Sequence, residues 1–239
     1  MISFKHRQFQ KDFILMSIRW YLAYSLSYRD IEELMLARGV RVDHATINRW
    51  VIKYAPELEQ EFSAKHKLPG GSSWRADETY IKVKGIWHYY YRAVDKEGNT
   101  LDFYLSEKRD KKAAVAFFTK TIGSNGLPDK VTVDESGSNK TALDYLNAYL
   151  FVIEFFSFLI GIAPRFLNFT IRQIKYLNNI VEQDHRFIKK ITKPILGFKT
   201  FHSAKATLSG IELHRMLRKC QHKNSGVNNL FEQFYALAS

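Results

Sequence analysis

Apolar residues in the first quarter of the chain recur at helical spacing, and from Trp74 onward they fall in strand-like runs. Residues 9 to about 58 read as helical, rich in both aromatics and charge. Within them Ser27 is an N-cap candidate with Asp30 three residues on, a variant of the capping box. Ile31, Leu34 and Met35 then form one apolar face, and Gly39 sits where a left-handed residue would end the helix. After a short turn, Asp43 is placed to cap a second helix with Ile47, Trp50, Val51 and Tyr54 on its buried side. The opposite side carries His44, Asn48, Arg49 and Lys53. This is the pattern of a helix-turn-helix, in which Asn and Arg suit base edges and Lys suits phosphates. An ordinary helical hairpin with a polar outer face would leave the same pattern.

The segment HKLPGGSS, 66–73, holds a proline and two glycines and reads as a linker. Beyond it, residues 74–83, 86–95 and 100–106 are rich in Tyr, Ile, Val and Trp. Lys84-Gly85 and Lys96-Glu97-Gly98-Asn99 separate them as hairpin turns, which predicts a three-stranded antiparallel meander. Asp110 to Ile122 reads as a helix, and Lys130 to Asp134 as a short buried strand ending in an acid. Three antiparallel strands, a helix, a strand and further helices give the order of an RNase H-like α/β domain. The most apolar stretch, Ala148 to Ile162, is interrupted by Glu154 and falls short of a bilayer span. It is expected to be buried core.

Composition narrows the partner. The 239 residues carry a formal charge of +12, with 46% hydrophobic residues, enough for a real core. Between Pro164 and Lys223 there are thirteen Lys or Arg against three acids, Glu182, Asp184 and Glu212. So few acids leave little internal pairing, and an anionic partner such as DNA is favoured over a merely solvated face. Cys220 is the single cysteine, which excludes an internal disulfide and a thiolate metal cluster and fits a reducing cytosol. The N-terminus MISFKHRQFQ is charged and lacks a following signal-peptide core.

The expected fold singles out three acids. Metal-assisted phosphodiester chemistry needs carboxylates converging from different elements, and hard divalent cations prefer such oxygen ligands. Asp77 lies within the first strand and Asp134 at the end of the fourth, and these strands are neighbours in an RNase H-like sheet. The segment YLNNIVEQDHRFIKK, 176–190, reads as a helix that would supply Glu182. Arg186 lies one turn beyond Glu182, where it could pair with that acid or with DNA, and Lys189 lies two turns beyond, placed to hold a phosphate. Taken singly, each acid is as well explained as a solvated strand residue, a turn cap or a salt-bridge partner. Their combined placement carries the reading.

The strings LSYRDIEELMLARGV, VDHATINRWV, RADETYIKVKGIWHYYYRAVD, KYLNNIVEQDH and LGFKTF closely resemble the small replicative, cointegrate-forming DDE transposases of bacterial insertion sequences. The resemblance covers nearly the whole chain. It implies an RNase H-like core behind an N-terminal helix-turn-helix, and it maps the catalytic, metal-binding triad onto Asp77 of ADETY, Asp134 of VTVDES and Glu182 of NNIVEQDH, with Lys189 as the following basic residue. The implied activity is 3′-strand cleavage at terminal inverted repeats, followed by attack of that 3′-OH on target DNA, with two Mg²⁺ or Mn²⁺ ions. Double-stranded DNA, comprising transposon ends and target, is the expected partner. A homodimer or larger assembly would hold the two ends, in the bacterial cytoplasm at the nucleoid and away from any membrane. The expected organisation is a DNA-binding region over 1–65, a linker over 66–73, a catalytic core over 74–195 and a basic helical segment over 196–239.

One departure stands out. The family gap between the second Asp and the Glu lies in the mid-thirties, whereas 47 residues intervene here, the excess falling around Ala148 to Ile162. The chain is then either of a subgroup with a longer buried element before the Glu182 helix or an inactive copy; a non-catalytic DNA-binding protein and a structure-specific nuclease on the same fold are the rival readings.

Overall fold

The computed structural model describes residues 2–4, 8–134, 137–160, 162, 167–174, 179–224 and 229–238, with the backbone alone at 179, 180 and 182. The chain divides into two compact units. One gathers residues 1–68, 82–86 and 187–239, the other 69–81 and 87–186.

The first unit is helical. Helix α1, Lys11–Ala23, buries Ile14, Leu15, Ile18 and Leu22, one stripe at helical spacing. Helix α2, Tyr28–Leu36, starts at the expected capping box: Asp30 N–H donates to Ser27 Oγ at 3.2 Å and Ser27 N–H to Asp30 Oδ2 at 2.7 Å. Gly39 follows with φ +78°, a left-handed conformation that a glycine adopts without strain. Helix α3, His44–Glu61, is capped by Asp43, whose Oδ1 accepts from Thr46 N–H at 2.9 Å, and it buries Ile47, Trp50, Val51 and Tyr54. Helix α7, Phe201–Arg218, is nearly encased in this unit. Its Gly210 permits the close approach, since a Cβ there would lie 2.6 Å from Leu22 methyl groups and 2.8 Å from Ala55 Cβ. The short helix α8, Leu230–Ala236, packs on α7.

The second unit is built on a five-stranded sheet in the order β3-β2-β1-β4-β5. Strands β1, Ser73–Val83, and β2, Ile86–Asp95, are joined by Lys84 and Gly85 with φ of 50° and 81°, the paired left-handed residues of a tight hairpin. β3, Thr100–Ser106, pairs antiparallel with β2. Helix α4, Lys111–Asn125, capped by Asp110, leads to β4, Lys130–Val133, which runs parallel to β1. Helix α5, Gly137–Leu159, leads to β5, Thr170–Gln173, parallel to β4, and helix α6, Asn179–Thr192, follows. Trp74, Tyr91, Phe117, Phe118, Val131 and Leu143 lie in the core of this unit. The topology is RNase H-like, and β5 is the one strand of it that the hydrophobic pattern did not announce.

One expectation is corrected. The apolar stretch Ala148 to Ile162 is not buried core. The first half of α5 packs inward through Ala142, Leu143 and Leu146, but Phe151, Phe155, Phe156, Phe158, Leu159 and Ile160 are each more than half exposed. At 23 residues, with a mean hydropathy of 1.4 in its most apolar window, α5 reaches the length and composition of a membrane span. Its inward-packed first half belongs to the core of this unit.

Candidate active site

The parallel pairing of β1 with β4 brings two of the predicted acids together. Ser73 lies opposite Lys130, Trp74 opposite Val131 and Arg75 opposite Thr132. Continued by two residues, this constant offset sets Asp77 opposite Asp134 on strands whose axes run roughly 4.8 Å apart. Burial along β1 explains why Glu78 joins them. Trp74 and Ala76 are buried, as are Thr79, Ile81 and Val83, so the strict alternation changes phase at Asp77 and Glu78. Carboxylate oxygens of Asp77, Glu78 and Asp134 all lie within 4.8 Å of one another.

Three hard oxygen donors converging at this spacing fit a divalent cation. Glu78 is more enclosed than Asp77, its side chain 3% exposed against 17%. Arg109, at the end of the β3–α4 connection, forms an ion pair with Glu78 Oε1, and Asn139 Nδ2 in the first turn of α5 donates to Glu78 Oε2 at 2.8 Å. Burial disfavours the Arg109 cation, but Glu78 foremost, and Asp134 with it, outweigh that penalty and raise its pKa.

Helix α6 packs on the sheet through two buried side chains. His185 Nδ1 lies 3.9 Å from Asp77 Oδ2, and Asp184 Oδ2 lies 3.3 Å from Arg92 Nη2 on β2. The Glu182 side chain lies outside the described residues; its backbone is part of α6, one turn before His185. Arg186 and Lys189 on the same helix are exposed.

Residues 71–155 and 163–221 match a family described as a DDE domain, and these spans contain Asp77, Asp134 and Glu182. The transposase for insertion sequence element IS257 in transposon Tn4003 of Staphylococcus aureus is 44% identical over 212 residues, covering 89% of this chain and 87% of that protein. The chain belongs to the DDE transposase family of bacterial insertion sequences. Its activity is that of a polynucleotidyl transferase. The transposase for insertion sequence-like element IS431mec of S. aureus strain Mu50 is equally similar, 44% identical over 212 residues at the same coverage. Between the two matched spans, Phe156, Phe158, Leu159, Ile160 and Ile162 are exposed. Among solved structures, the magnesium-bound HTLV-2 integrase catalytic core in its trimeric form aligns at TM-score 0.43 and 16% identity, covering 60% of this chain and 84% of that one. The BIV integrase core aligns at TM-score 0.42 and 14% identity, covering 70% and 95%.

The basic candidates on α3 are in several states. His44 Nδ1 lies 2.9 Å from Glu32 Oε2, and Arg49 Nη2 donates to Thr46 Oγ1 at 2.7 Å. The Lys53 ammonium sits 5.0 Å from the Tyr54 ring centroid. Asn48 is half-buried and hydrogen-bonds Tyr28, so its amide is partly committed inside the fold. The sequence reading named neither Arg109 nor Asn139, nor roles for Arg92, Asp184 and His185. An acid–histidine pair directly after a helical Glu was the one available signal for the last two.

Proposed function

We propose that the chain binds the terminal inverted repeats of its insertion sequence, cleaves the 3′ strand there and transfers it to target DNA, with Asp77, Asp134 and Glu182 as metal ligands. The observation that carries this is the meeting of Asp77 and Asp134 across the parallel β1–β4 pair. Glu182 stands on α6 one turn before His185, the residue that approaches Asp77. The donor set suits Mg²⁺ or Mn²⁺, and two ions bound there would activate the attacking oxygen and stabilise the leaving one.

In the first step a water oxygen bonds to phosphorus and the P–O3′ bond breaks, releasing a 3′-OH at the element's end. In the second, that 3′ oxygen bonds to a target phosphorus and the target's own P–O3′ bond breaks. Asp77 and Asp134 hold their oxygens on adjacent strands of a packed sheet, which fixes the site before DNA arrives. Arg186 and Lys189 contact the DNA backbone, with Lys189 closest to the scissile phosphate. Residues 1–65 recognise the ends through His44, Asn48, Arg49 and Lys53, and 74–195 carry the chemistry. Two ends require at least a homodimer, acting on nucleoid DNA in the cytoplasm.

A strand-joining assay with and without divalent metal tests this against its rivals. A repressor does nothing in it, a nuclease only cuts, and a transposase joins.

A further inference from the structure

We propose that Glu78 is an anchor and not a metal ligand, and that it holds Arg109 as a phosphate-binding residue of the active site. The proposal rests on the metal-site reading of Asp77 and Asp134 above.

Proximity alone would make Glu78 a third ligand, but its surroundings argue otherwise. One of its oxygens is in ion contact with Arg109 and the other accepts from Asn139, a side chain that is itself buried. A cation bound at Glu78 would have to share oxygens already held by a guanidinium and a buried amide, on a side chain only 3% exposed. Asp77 is the more open of the two, its side chain 17% exposed against 3% for Glu78.

The same pair settles a conflict of charge. A guanidinium beside a metal site repels the cations that the site must collect. With Glu78 as its ion-pair partner, Arg109 is locally neutralised, which lessens its repulsion of a cation at Asp77 and Asp134. The Arg109 side chain remains 35% exposed. A guanidinium carries five N–H donors in a rigid fork, and the Glu78 ion pair engages Nη2. What remains open is suited to the oxygens of a DNA phosphate approaching the two aspartates. Glu78 and Asn139 then act as positioning residues, tying β1, the β3–α4 connection and the start of α5 into one clasp around Arg109.

Two measurements on the full-length protein test this. The first is Mn²⁺ affinity without DNA. Glu78→Gln combined with Arg109→Gln, which removes both charges of the pair, should stay close to wild type, while Asp77→Asn and Asp134→Asn should each lose ~10-fold or more. The second is binding to a short duplex of arbitrary sequence over a potassium chloride series. Arg109→Ala should lower the slope of log affinity against log salt by about one, the signature of one lost phosphate contact, while Arg109→Lys keeps it. Arg109→Gln repeats the neutral substitution should Arg109→Ala fail to fold. Loss of Mn²⁺ affinity in the double variant equal to that in Asp77→Asn makes Glu78 a ligand and overturns the proposal. An unchanged salt slope in both neutral Arg109 variants overturns it too. Failure of the underlying metal-site reading looks different: Asp77→Asn and Asp134→Asn would then bind Mn²⁺ like wild type.

Discussion

Arg92 on β2, with no exposed side-chain surface, meets Asp184 on α6 at 3.3 Å. The pair ties the helix that bears Glu182 to the sheet that bears Asp77. Removing one partner of a buried ion pair strands the other charge, typically at about 3–5 kcal/mol. Asp184→Ala should therefore destabilise the protein by about that much in chemical denaturation. Replacing both partners by apolar residues, Arg92→Met with Asp184→Leu, should cost clearly less than Asp184→Ala. Equal loss in the single and double variants would mean that the pair does not hold α6.

Gly210 on α7 faces Leu22 and Ala55, with no room for a Cβ. The Leu22 methyl groups can swing away, but the Ala55 Cβ is fixed to the α3 backbone. Gly210→Ala gains up to about 1 kcal/mol in helix propensity and loses about 1–3 kcal/mol to overpacking. A net fall in the denaturation midpoint is expected, and a rise would show that α7 can shift away from α3.

His214, on the same helix, gives the protein an acid-side sensitivity. Burial, with Arg19, Arg218 and Arg215 adding repulsion, lowers its pKa from 6.5 to about 4. The unfolded chain takes up this proton first, so the contribution is fully present above about pH 6.5 and is lost as pH falls toward 4. The full difference is roughly 3 kcal/mol. Stability measured over that window should fall with pH in wild type and fall less in His214→Gln. Parallel profiles would remove His214 as the cause.

The two halves of α5 should respond differently to substitution. Leu143→Ala empties a buried position and should cost about 2–5 kcal/mol. Phe151→Gln and Phe158→Gln change exposed positions and should each stay within about 0.5 kcal/mol while raising solubility. A large loss from either phenylalanine, read by thermal denaturation, would show that its ring is packed in solution.

Local signals in the sequence carried far. Ser27, Asp30, Gly39 and Asp43 marked helix ends because capping chemistry acts within a few residues. The closeness of Asp77 and Asp134 could be anticipated because the first and fourth strands of an RNase H-like sheet are neighbours. What escaped depended on the third dimension. The second half of α5 is apolar on every side, and such a helix reads as core whether or not neighbours come to cover it. Helix α7 hid its burial behind small residues and the polar Glu212 and His214, both enclosed. Arg109 looked like one more charge in a loop, since nothing nearby in sequence shows that Glu78 and Asn139 meet it.

The central claim is that Asp134 takes part in metal-assisted strand transfer, and one comparison tests it most directly. Asp134→Asn is nearly isosteric, so folding and end binding should survive. An amide is a far poorer ligand for Mg²⁺ than a carboxylate, and losing several kcal/mol of transition-state stabilisation slows joining by orders of magnitude. Strand joining should be measured for wild type and Asp134→Asn, in Mg²⁺ and in chelator, with end binding followed in parallel. The account predicts joining by wild type in Mg²⁺ alone, none by Asp134→Asn, and equal end binding by both. Full joining by Asp134→Asn would contradict it.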